Sequence, residues 1–263
     1  MLVLLPPSEG KAPATAGHPV DLAALSHPEL ADARRRVGDT LARVSGQRGA
    51  FKALDVGPSL AADVARNTRL WTEPTGPAAA VYTGVLYDAA GMAAWDDATM
   101  RRAHERIRII SSLWGAVSPA DLIPAYRLSM STTLPRIGGL SAYWRRHLDS
   151  HLTALADGSV VVDCRSSSYT AAWTPRDNPW VAVRVLREFD GRRTVVSHMS
   201  KHARGLLTAH LMAYETAPQT PQDVADVALA LVGTSLIDVA LQSQPRGPDQ
   251  LTLVVEGQDR HRP

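Results

Sequence analysis

The sequence predicts an α+β fold, with a single domain over residues 1–263 in which helices flank a central mixed sheet. Three observations predict it. The chain has 263 residues, 45% of them hydrophobic, which is enough to bury a large core. Strand-length apolar runs are interspersed with amphipathic helical patterns. These patterns do not follow the regular βαβ alternation of a fully parallel sheet, and no linker-like segment divides the chain.

The first half of the chain begins with a buried strand and continues mainly as helix. MLVLL at 1–5 predicts the strand, which Pro6 and Pro7 end. After a polar loop to about residue 19, the predicted elements are a helical pattern over 28–67, a compact small-residue segment over 77–91, a short helix over 96–105 and a buried strand over 106–111. The run Arg34-Arg35-Arg36 within the helical pattern predicts a solvated face.

The second half contains the clearest hairpin of the sequence. Two strand-like runs, 180–189 and 192–196, flank an Asp190-Gly191 turn. The other predicted elements are a helix over 140–156, a strand over 159–163, a helix that Ser197 opens and that runs to about 214, a helix over 221–231, and a closing strand pair at 234–241 and 250–256.

Composition excludes several protein classes. The formal net charge of +2 and the apolar content exclude a disordered chain, and no apolar run has the length of a membrane span. The amino terminus lacks signal-peptide features, and Cys164 is the single cysteine, so we expect a cytoplasmic protein. The sequence lacks GxxxxGK[ST], GxGxxG, GxSxG and HExxH, which argues against the enzyme classes that use these motifs.

The first candidate for chemistry is the loop after the first strand, which carries Ser8, Glu9 and Lys11. A loop at a strand end can project amides, a hydroxyl, a carboxylate and an amine into one crevice. Of the 28 basic residues only Lys11, Lys52 and Lys201 are lysines, and lysine has a pKa that burial can tune. The alternative is an ordinary exposed loop lysine.

The second candidate is the segment Tyr82-Thr83-Gly84. Tyr87 follows it, and two phenols and a hydroxyl beside a glycine suit the binding of a polar planar ligand. A packed turn, in which the phenols bond to the backbone, explains the same residues. The segment therefore predicts either a ligand contact or a structural turn.

The third candidate combines hydroxyls at a strand end with a later basic segment. Ser111 and Ser112 follow the strand over 106–111, and Tyr126 and Arg127 follow Pro124. Hydroxyls near a guanidinium suit an anion site. We therefore expect these side chains to line part of a binding cleft.

The fourth candidate is the end of the strand over 159–163, where Asp163, Arg165 and Ser166 follow one another. Ligands collect at the carboxyl ends of strands in such sheets, although a structural Asp–Arg pair is equally consistent.

The fifth candidate is a pair of cations near the start of a helix. Lys201 and Arg204 share one face of this helix, which suits the binding of a phosphate. We expect Lys11 and Lys201 to meet at one anionic site.

The histidines do not predict a metal centre. His147/His151 and His198/His202 have the i, i+4 spacing of metal ligands, but the sequence designates no third ligand for either pair. We therefore expect no metal and no cofactor, and direct iron sequestration is the weakest functional hypothesis. The arginine clusters at 101–108 and 145–146 are typical of solvated faces, although they could follow a phosphate backbone.

Together these segments are more specific than any one of them. In order they are LLPPSEGK at 4–11, YTG at 82–84, SSLWGAVSPADLIPAYRLSM at 111–130, DCRSSSY at 163–169 and SKHARG at 200–205. This succession closely resembles the YaaA family of peroxide stress proteins through most of the chain. The block at 111–130 is the most specific part of the resemblance.

The resemblance implies a single mixed α/β domain and a cytosolic role in the response to hydrogen peroxide, with less iron available for damage. It also implies binding of double-stranded DNA through a helix-hairpin-helix-like element and a basic cleft. The segment from Trp114 to Leu122 is the candidate hairpin. Matching positions place in that cleft Lys11, Arg127, Arg165, Lys201 and Arg204.

Two functions therefore stay open. One is a stress protein whose basic cleft binds DNA or another phosphate-bearing ligand. The other is an enzyme acting on a nucleotide, nucleobase or related small molecule, with catalytic candidates Lys11, Tyr82, Asp163 and Lys201. The candidate ligand- or phosphate-binding residues are Ser8, Glu9, Thr83, Gly84, Ser111, Ser112, Tyr126, Arg127, Arg165, Ser166 and Arg204. The sequence does not predict the oligomeric state.

Overall fold

The protein is described here by a computed structural model that covers residues 1–196 and 198–257. The strands are β1 (Leu2–Leu5), β2 (Gly76–Pro77), β3 (Ile107–Ser111), β4 (Gly115–Val117), β5 (Leu122–Ile123), β6 (Thr133–Leu134), β7 (Gly138–Gly139), β8 (Val161–Asp163), β9 (Trp180–Phe189), β10 (Arg192–Val195), β11 (Asp238–Gln242) and β12 (Asp249–Glu256). The α-helices are α1 (Ala31–Ser45), α2 (Ala50–Leu54), α3 (Ala61–Asn67), α4 (Ala78–Val81), α5 (Val85–Ala90), α6 (Asp97–Arg106), α7 (Leu140–Ala156), α8 (Ser167–Thr170), α9 (His198–Ala213) and α10 (Pro221–Leu229). Short 3-10 turns lie at Pro28–Leu30, Pro58–Leu60 and Met92–Ala94.

The central sheet is mixed, as predicted. Its strand order is β11-β12-β9-β8-β1-β3-β4, and β10 pairs with the second half of β9. The inner pairs β12–β9, β9–β8, β8–β1 and β1–β3 are parallel, whereas β11, β10 and β4 pair in the antiparallel sense. The carboxyl ends of β1, β3 and β8 therefore lie along the same edge of the sheet.

The core lies between this sheet and the surrounding helices. All four residues of β1 and all five of β3 are buried, which explains their nearly continuous apolar sequence. At Gly115, where φ is +72°, an added Cβ would lie 2.6 Å from the Trp144 ring. A glycine is thus required where β4 meets α7. Across residues 1–196 and 198–257, no helix combines the length and apolar character needed to cross a membrane.

The predicted elements of the second half match the structure closely. The helix predicted over 140–156 is α7, and the predicted hairpin is β9 with β10. The helical pattern over 28–67 is instead interrupted, because α1 ends at Gly46 and α2 ends at Asp55, which has a positive φ of 52°. The predicted start of α9 at Ser197 lies outside the described residues.

The prediction of a solvated face is wrong for Arg34, although its two arginine neighbours are exposed. Arg34 is completely buried, and its guanidinium donates to four backbone carbonyls. Nε bonds to Trp114 O (2.9 Å), Nη1 to His27 O (3.1 Å), and Nη2 to Ser26 O (2.6 Å) and Ala116 O (2.9 Å). Arg34 thus connects the loop before α1 to the turn between β3 and β4.

Candidate ligand-binding pocket

A cavity of about 340 Å³ lies beside the carboxyl ends of β1 and β8. Its wall combines the loop after β1, the first turn of α5, the residue before α8 and the first two turns of α9. Seven of the predicted site residues line it: Ser8, Glu9, Thr83, Gly84, Ser166, Lys201 and Arg204. The structure therefore brings together residues that the sequence separates by nearly 200 positions.

Two cations of α9 face this cavity. Lys201 is exposed and Arg204, three residues later on the same helix face, is partly buried. Arg204 Nη2 donates to Val183 O at 2.8 Å, which anchors the guanidinium to β9. Neither side chain forms an ion pair with a described residue. Both therefore place positive charge at the cavity wall.

Gly205 allows α9 to lie this close to the cavity. A Cβ at this position would lie 2.3 Å from Leu86 O and 2.8 Å from the Ala89 Cβ, so the helices α9 and α5 cross with their backbones in contact. Larger residues would push the two cations away from α5. The glycine ends the SKHARG segment, although the sequence analysis did not assign it a role.

Lys11 lies behind the loop rather than in the cavity wall. Its Nζ donates to Ser8 O at 2.7 Å and lies 4.2 Å from the centroid of the Tyr126 ring. Burial lowers the pKa of Lys11 to about 7; the Glu9 carboxylate opposes this effect and the Arg127 guanidinium adds to it. At neutral pH a large fraction of Lys11 is therefore an uncharged amine, which can act as a base or a nucleophile.

The expected meeting of Lys11 and Lys201 at one anion is not found in this cavity, because Lys201 lines it and Lys11 does not. The Ser8–Gly10 loop lines the cavity, and the Ser8 O of this loop accepts the hydrogen bond from Lys11 Nζ. Lys11 is therefore adjacent to the pocket through this loop.

A chain of three hydroxyls lies beneath Lys11. Ser111 Oγ is 2.7 Å from the Tyr126 hydroxyl, which is 2.9 Å from the Tyr82 hydroxyl. Ser111 Oγ already accepts from the amides of Leu113 and Trp114, so its own proton goes to Tyr126 and that of Tyr126 goes to Tyr82. Burial raises the pKa of both phenols, which therefore stay protonated. Tyr82, a candidate catalytic residue, therefore lies in the core and packs beneath Lys11.

Glu9 and Arg127 hold the loop after β1 from outside. Arg127 Nη2 contacts Glu9 Oε2 at 2.8 Å, and Nη1 donates to Glu9 O at 3.3 Å. Asn67 fixes the backbone of Arg127, because its side chain both accepts from Arg127 N (2.8 Å) and donates to Arg127 O (2.9 Å). The sequence analysis missed Asn67, which lies at the end of α3 without any motif.

Asp163 and Arg165 form a buried ion pair, which favours the structural alternative over their candidate roles as a catalytic residue and a ligand-binding cation. Arg165 donates to both oxygens of Asp163, at 2.8 and 2.7 Å, and their side chains are 0% and 4% exposed. The same guanidinium donates to Tyr169 O and Trp173 O. The pair thus closes the turn after β8, and each charge has its opposite within the protein.

The prediction of a helix-hairpin-helix at 114–122 is wrong. The segment contains β4 and the first residue of β5, and β3 precedes it. Trp114 is fully buried, and Asp121 closes the turn by accepting from Ser118 N at 3.0 Å. Ser112 is also buried and donates to Leu128 O, so it is structural rather than ligand-binding. Most of this segment is buried, with Leu122 exposed at its end.

Two aromatic side chains and a histidine complete the cavity wall. Tyr87 and Tyr169 line the cavity, and the Tyr87 hydroxyl donates to Pro6 O at 2.8 Å. His198, in the first turn of α9, also lines it. The sequence offered weak signals for them, since Tyr87 and Tyr169 follow the YTG and DCRSS segments and His198 was considered only as part of a spaced pair.

Comparison with known proteins gives the family. The family model described as peroxide stress protein YaaA matches residues 1–230. The chain belongs to the YaaA family. Curated relatives are UPF0246 proteins of Streptomyces coelicolor, 41% identical with 86% of this chain and 88% of the relative covered, and of Corynebacterium glutamicum, 35% identical with 97% and 100% covered. A UPF0246 protein of Corynebacterium efficiens is 38% identical, with 87% and 91% covered.

The YaaA family match confirms the family that the sequence segments predicted. The matched residues include the loop after β1, the YTG turn, the block at 111–130 and the start of α9. Together these segments surround the cavity, Lys11 and the three hydroxyls beneath Lys11. The family description connects the chain to peroxide stress. It does not name a ligand or a reaction for this pocket.

Proposed function

We propose that this YaaA-family protein acts in the cytosol, in the defence against hydrogen peroxide, by binding a small phosphate-bearing molecule in the pocket between the loop after β1 and α9. The observation that carries the proposal is the pair Lys201 and Arg204, which faces a cavity of about 340 Å³ with no ion-pair partner among the described residues. Hydroxyls of Ser8, Thr83 and Ser166 surround the same space. Cations with hydroxyl donors are the usual partners of phosphate oxygens.

The dimensions of the pocket favour a small molecule over a duplex. Ligand cavities of a few hundred Å³ enclose small molecules. A duplex instead requires an extended basic surface that follows successive phosphates. The burial of the 114–122 segment removes the element expected to make such contacts.

Direct chemistry of peroxide at a cysteine is a poor alternative. Cys164 is fully buried, and burial raises the pKa of its thiol to about 12. Reaction with peroxide requires an accessible thiolate. The contribution to peroxide defence is therefore better sought in the ligand pocket.

Binding can be tested by thermal unfolding in the presence of inorganic phosphate, AMP or a DNA duplex. A ligand at 100 times its dissociation constant stabilises the folded state by about 2.7 kcal/mol. We expect AMP or phosphate to raise the melting temperature of the wild type. Lys201→Gln should reduce this shift by more than half because it removes one of the two charges.

The matched control is Lys52→Gln, because Lys52 is an exposed lysine on α2 outside the cavity. This variant should retain the full shift. Equal shifts in both variants, or stabilisation by the duplex alone at physiological salt, would contradict the proposed small-molecule site.

A second candidate function is enzymatic, and the specific observation favouring it is the lowered pKa of Lys11. An uncharged buried amine beside a ligand pocket is suited to general-base or nucleophilic catalysis. The nearby Glu9 carboxylate is paired with Arg127. The proposed substrate is a nucleotide, nucleobase or related small molecule in the neighbouring cavity.

The three lysines of the chain allow a direct test. Acylation with a small anhydride, followed by peptide mass spectrometry, should label Lys11 with a half-maximal rate near pH 7. Lys52, which is exposed on α2, serves as the reference lysine in the same digest. If Lys11 and Lys52 showed the same pH profile, the amine would be ordinary and the catalytic hypothesis would lose its support.

The same pKa has a consequence for stability. Between pH 7 and 10.5 the unfolded chain protonates Lys11 while the folded chain does not, so stability rises with pH across this window. Below about pH 7 both states bind the proton and the contribution becomes constant. A Lys11→Met variant should lose this part of the pH slope, measured by urea unfolding at several pH values.

A further inference from the structure

Three side chains of residue types that can ligate metals, two from the turn at 27–29 and one from α7, meet outside the ligand cavity. One donor atom from each of His27, Glu29 and His151 lies within 4.8 Å of the others. We propose that these residues bind a divalent first-row transition-metal cation such as Zn²⁺. The proposal does not depend on the function assigned to the ligand pocket, since none of the three lines that cavity.

The donor set suits such an ion. Two imidazoles and one carboxylate, with open positions for water, are an established combination for zinc and related divalent cations. Metal–ligand bonds of about 2.0–2.2 Å place two donor atoms at most about 4.4 Å apart, close to the bound of 4.8 Å within which these three atoms lie. Glu29 is exposed in the turn Pro28–Leu30, and its side chain can rotate toward the two imidazoles.

His27 is held in a conformation that this role explains. Its φ of 58° lies in the left-handed region, which non-glycine residues rarely adopt. Arg34 Nη1 donates to His27 O, and Asp121 accepts from Ser26 N, so both sides of this peptide are fixed by buried side chains. A strained residue persists only where the surroundings enforce it, and such residues concentrate at functional sites.

His151 comes from a different element, the third turn of α7. Its ring centroid lies 6.1 Å from that of His27, with the ring planes tilted by 52°. The i, i+4 partner suggested by sequence, His147, is instead 4.6 Å from the Tyr143 ring. The candidate co-ligands of His151 are therefore His27 and Glu29 from across the fold, and not the histidine one turn earlier on the same helix.

Arg108 limits the affinity of this site. Its Nε donates to His27 Nε2 at 3.1 Å. An imidazole that ligates through one nitrogen carries its proton on the other, so cation binding must break this hydrogen bond whichever nitrogen is used. Arg108 keeps two further acceptors, His104 O and Ile107 O, and can remain in place. We therefore infer an exchangeable site rather than a permanent structural metal.

The test uses the full chain without an affinity tag, titrated with Co²⁺ as a spectroscopic probe and with Zn²⁺ in calorimetry. We expect one equivalent of Co²⁺ to give a visible d–d absorption band that Zn²⁺ abolishes. His151→Ala should weaken binding at least tenfold. His27→Asn should do the same, and asparagine tolerates the positive φ so that the fold is retained.

His147→Ala is the matched control, because it removes a histidine from the same helix one turn earlier without removing a donor of the cluster. It should bind Co²⁺ like the wild type. Arg108→Met should tighten binding, since the competing hydrogen bond is gone. The proposal is overturned if the wild type shows no one-equivalent band, or if His147→Ala and His151→Ala lower the affinity equally.

Discussion

Two groups of polar residues near the carboxyl ends of parallel strands have opposite relations to their surroundings. Asp163 and Arg165 follow β8, and each satisfies the charge of the other inside the protein. Lys201 and Arg204 lie across the same edge on α9 and face a cavity. Position at a strand end therefore does not distinguish a ligand contact from a structural pair. The presence of an oppositely charged partner inside the protein does distinguish them.

The largest expected effect follows from removing the internal partner. Asp163→Asn leaves the Arg165 guanidinium buried without its carboxylate, and breaking such a pair costs about 3–5 kcal/mol. Urea unfolding should show a loss of this size. Ligand affinity of the remaining folded protein should change little, since Asp163 does not line the cavity.

Glu9→Gln provides the comparison for that measurement. It removes the carboxylate of another Arg–carboxylate pair, but the Glu9 side chain is 52% exposed. We expect a loss of at most about 1 kcal/mol, as for surface ion pairs. Equal losses in Glu9→Gln and Asp163→Asn would show that burial is not what separates the two pairs.

A smaller effect is expected at Arg34, where the internal partners are carbonyl groups rather than a carboxylate. Lysine has one donor centre and cannot reproduce four bonds from a planar fork. Arg34→Lys should therefore cost about 2–3 kcal/mol, in the range of buried donors and acceptors left unpaired. Arg35→Lys, one residue later and exposed, should change the free energy of unfolding by less than about 0.5 kcal/mol.

The fold was predictable where periodicity and turn chemistry agree. The continuous apolar residues of β1, the largely apolar run of β3, the amphipathic pattern of α7 and the Asp190-Gly191 turn each predict their element correctly. The interruptions after Ser45 and Leu54 were not predicted, although Gly46, Gly49, Gly57 and Pro58 are helix-breaking residues that mark them. The pairing of β1 with both β3 and β8 depends on contacts that a local pattern does not contain.

The candidate site was predictable to the level of its segments. The loop after β1, the YTG turn and the start of α9 were identified, and the structure brings them to one cavity. Arg34 was assigned to the wrong surroundings, and the structural alternative for Asp163 and Arg165 could not be chosen, since a charged residue inside a helix or after a strand has the same sequence pattern whether buried or exposed. Asn67 acts through distant backbone contacts that no motif records, and Gly205, although it ends the SKHARG segment, acts through its close approach to α5.

Gly205 tests whether the pocket depends on the close approach of α9 and α5. Gly205→Ala should cost about 1–3 kcal/mol, the usual cost of overpacking, because the new methyl group meets the Leu86 carbonyl. It should also weaken ligand binding by displacing the first turns of α9. Gly49→Ala is the control, since a Cβ there has no neighbour within 4 Å, and it should leave both properties unchanged.

The smallest effect on stability is expected at Lys201, and it completes the contrast with Arg165. Lys201 is exposed and makes no ion pair with a described residue, so Lys201→Gln should change the free energy of unfolding by less than about 0.5 kcal/mol. The same variant should lose more than half of the phosphate- or AMP-induced thermal shift. A residue whose removal leaves stability intact while reducing binding has its partner outside the chain. If Lys201→Gln destabilised the protein as strongly as Asp163→Asn, Lys201 would be another structural cation, and the distinction between the two groups would fail.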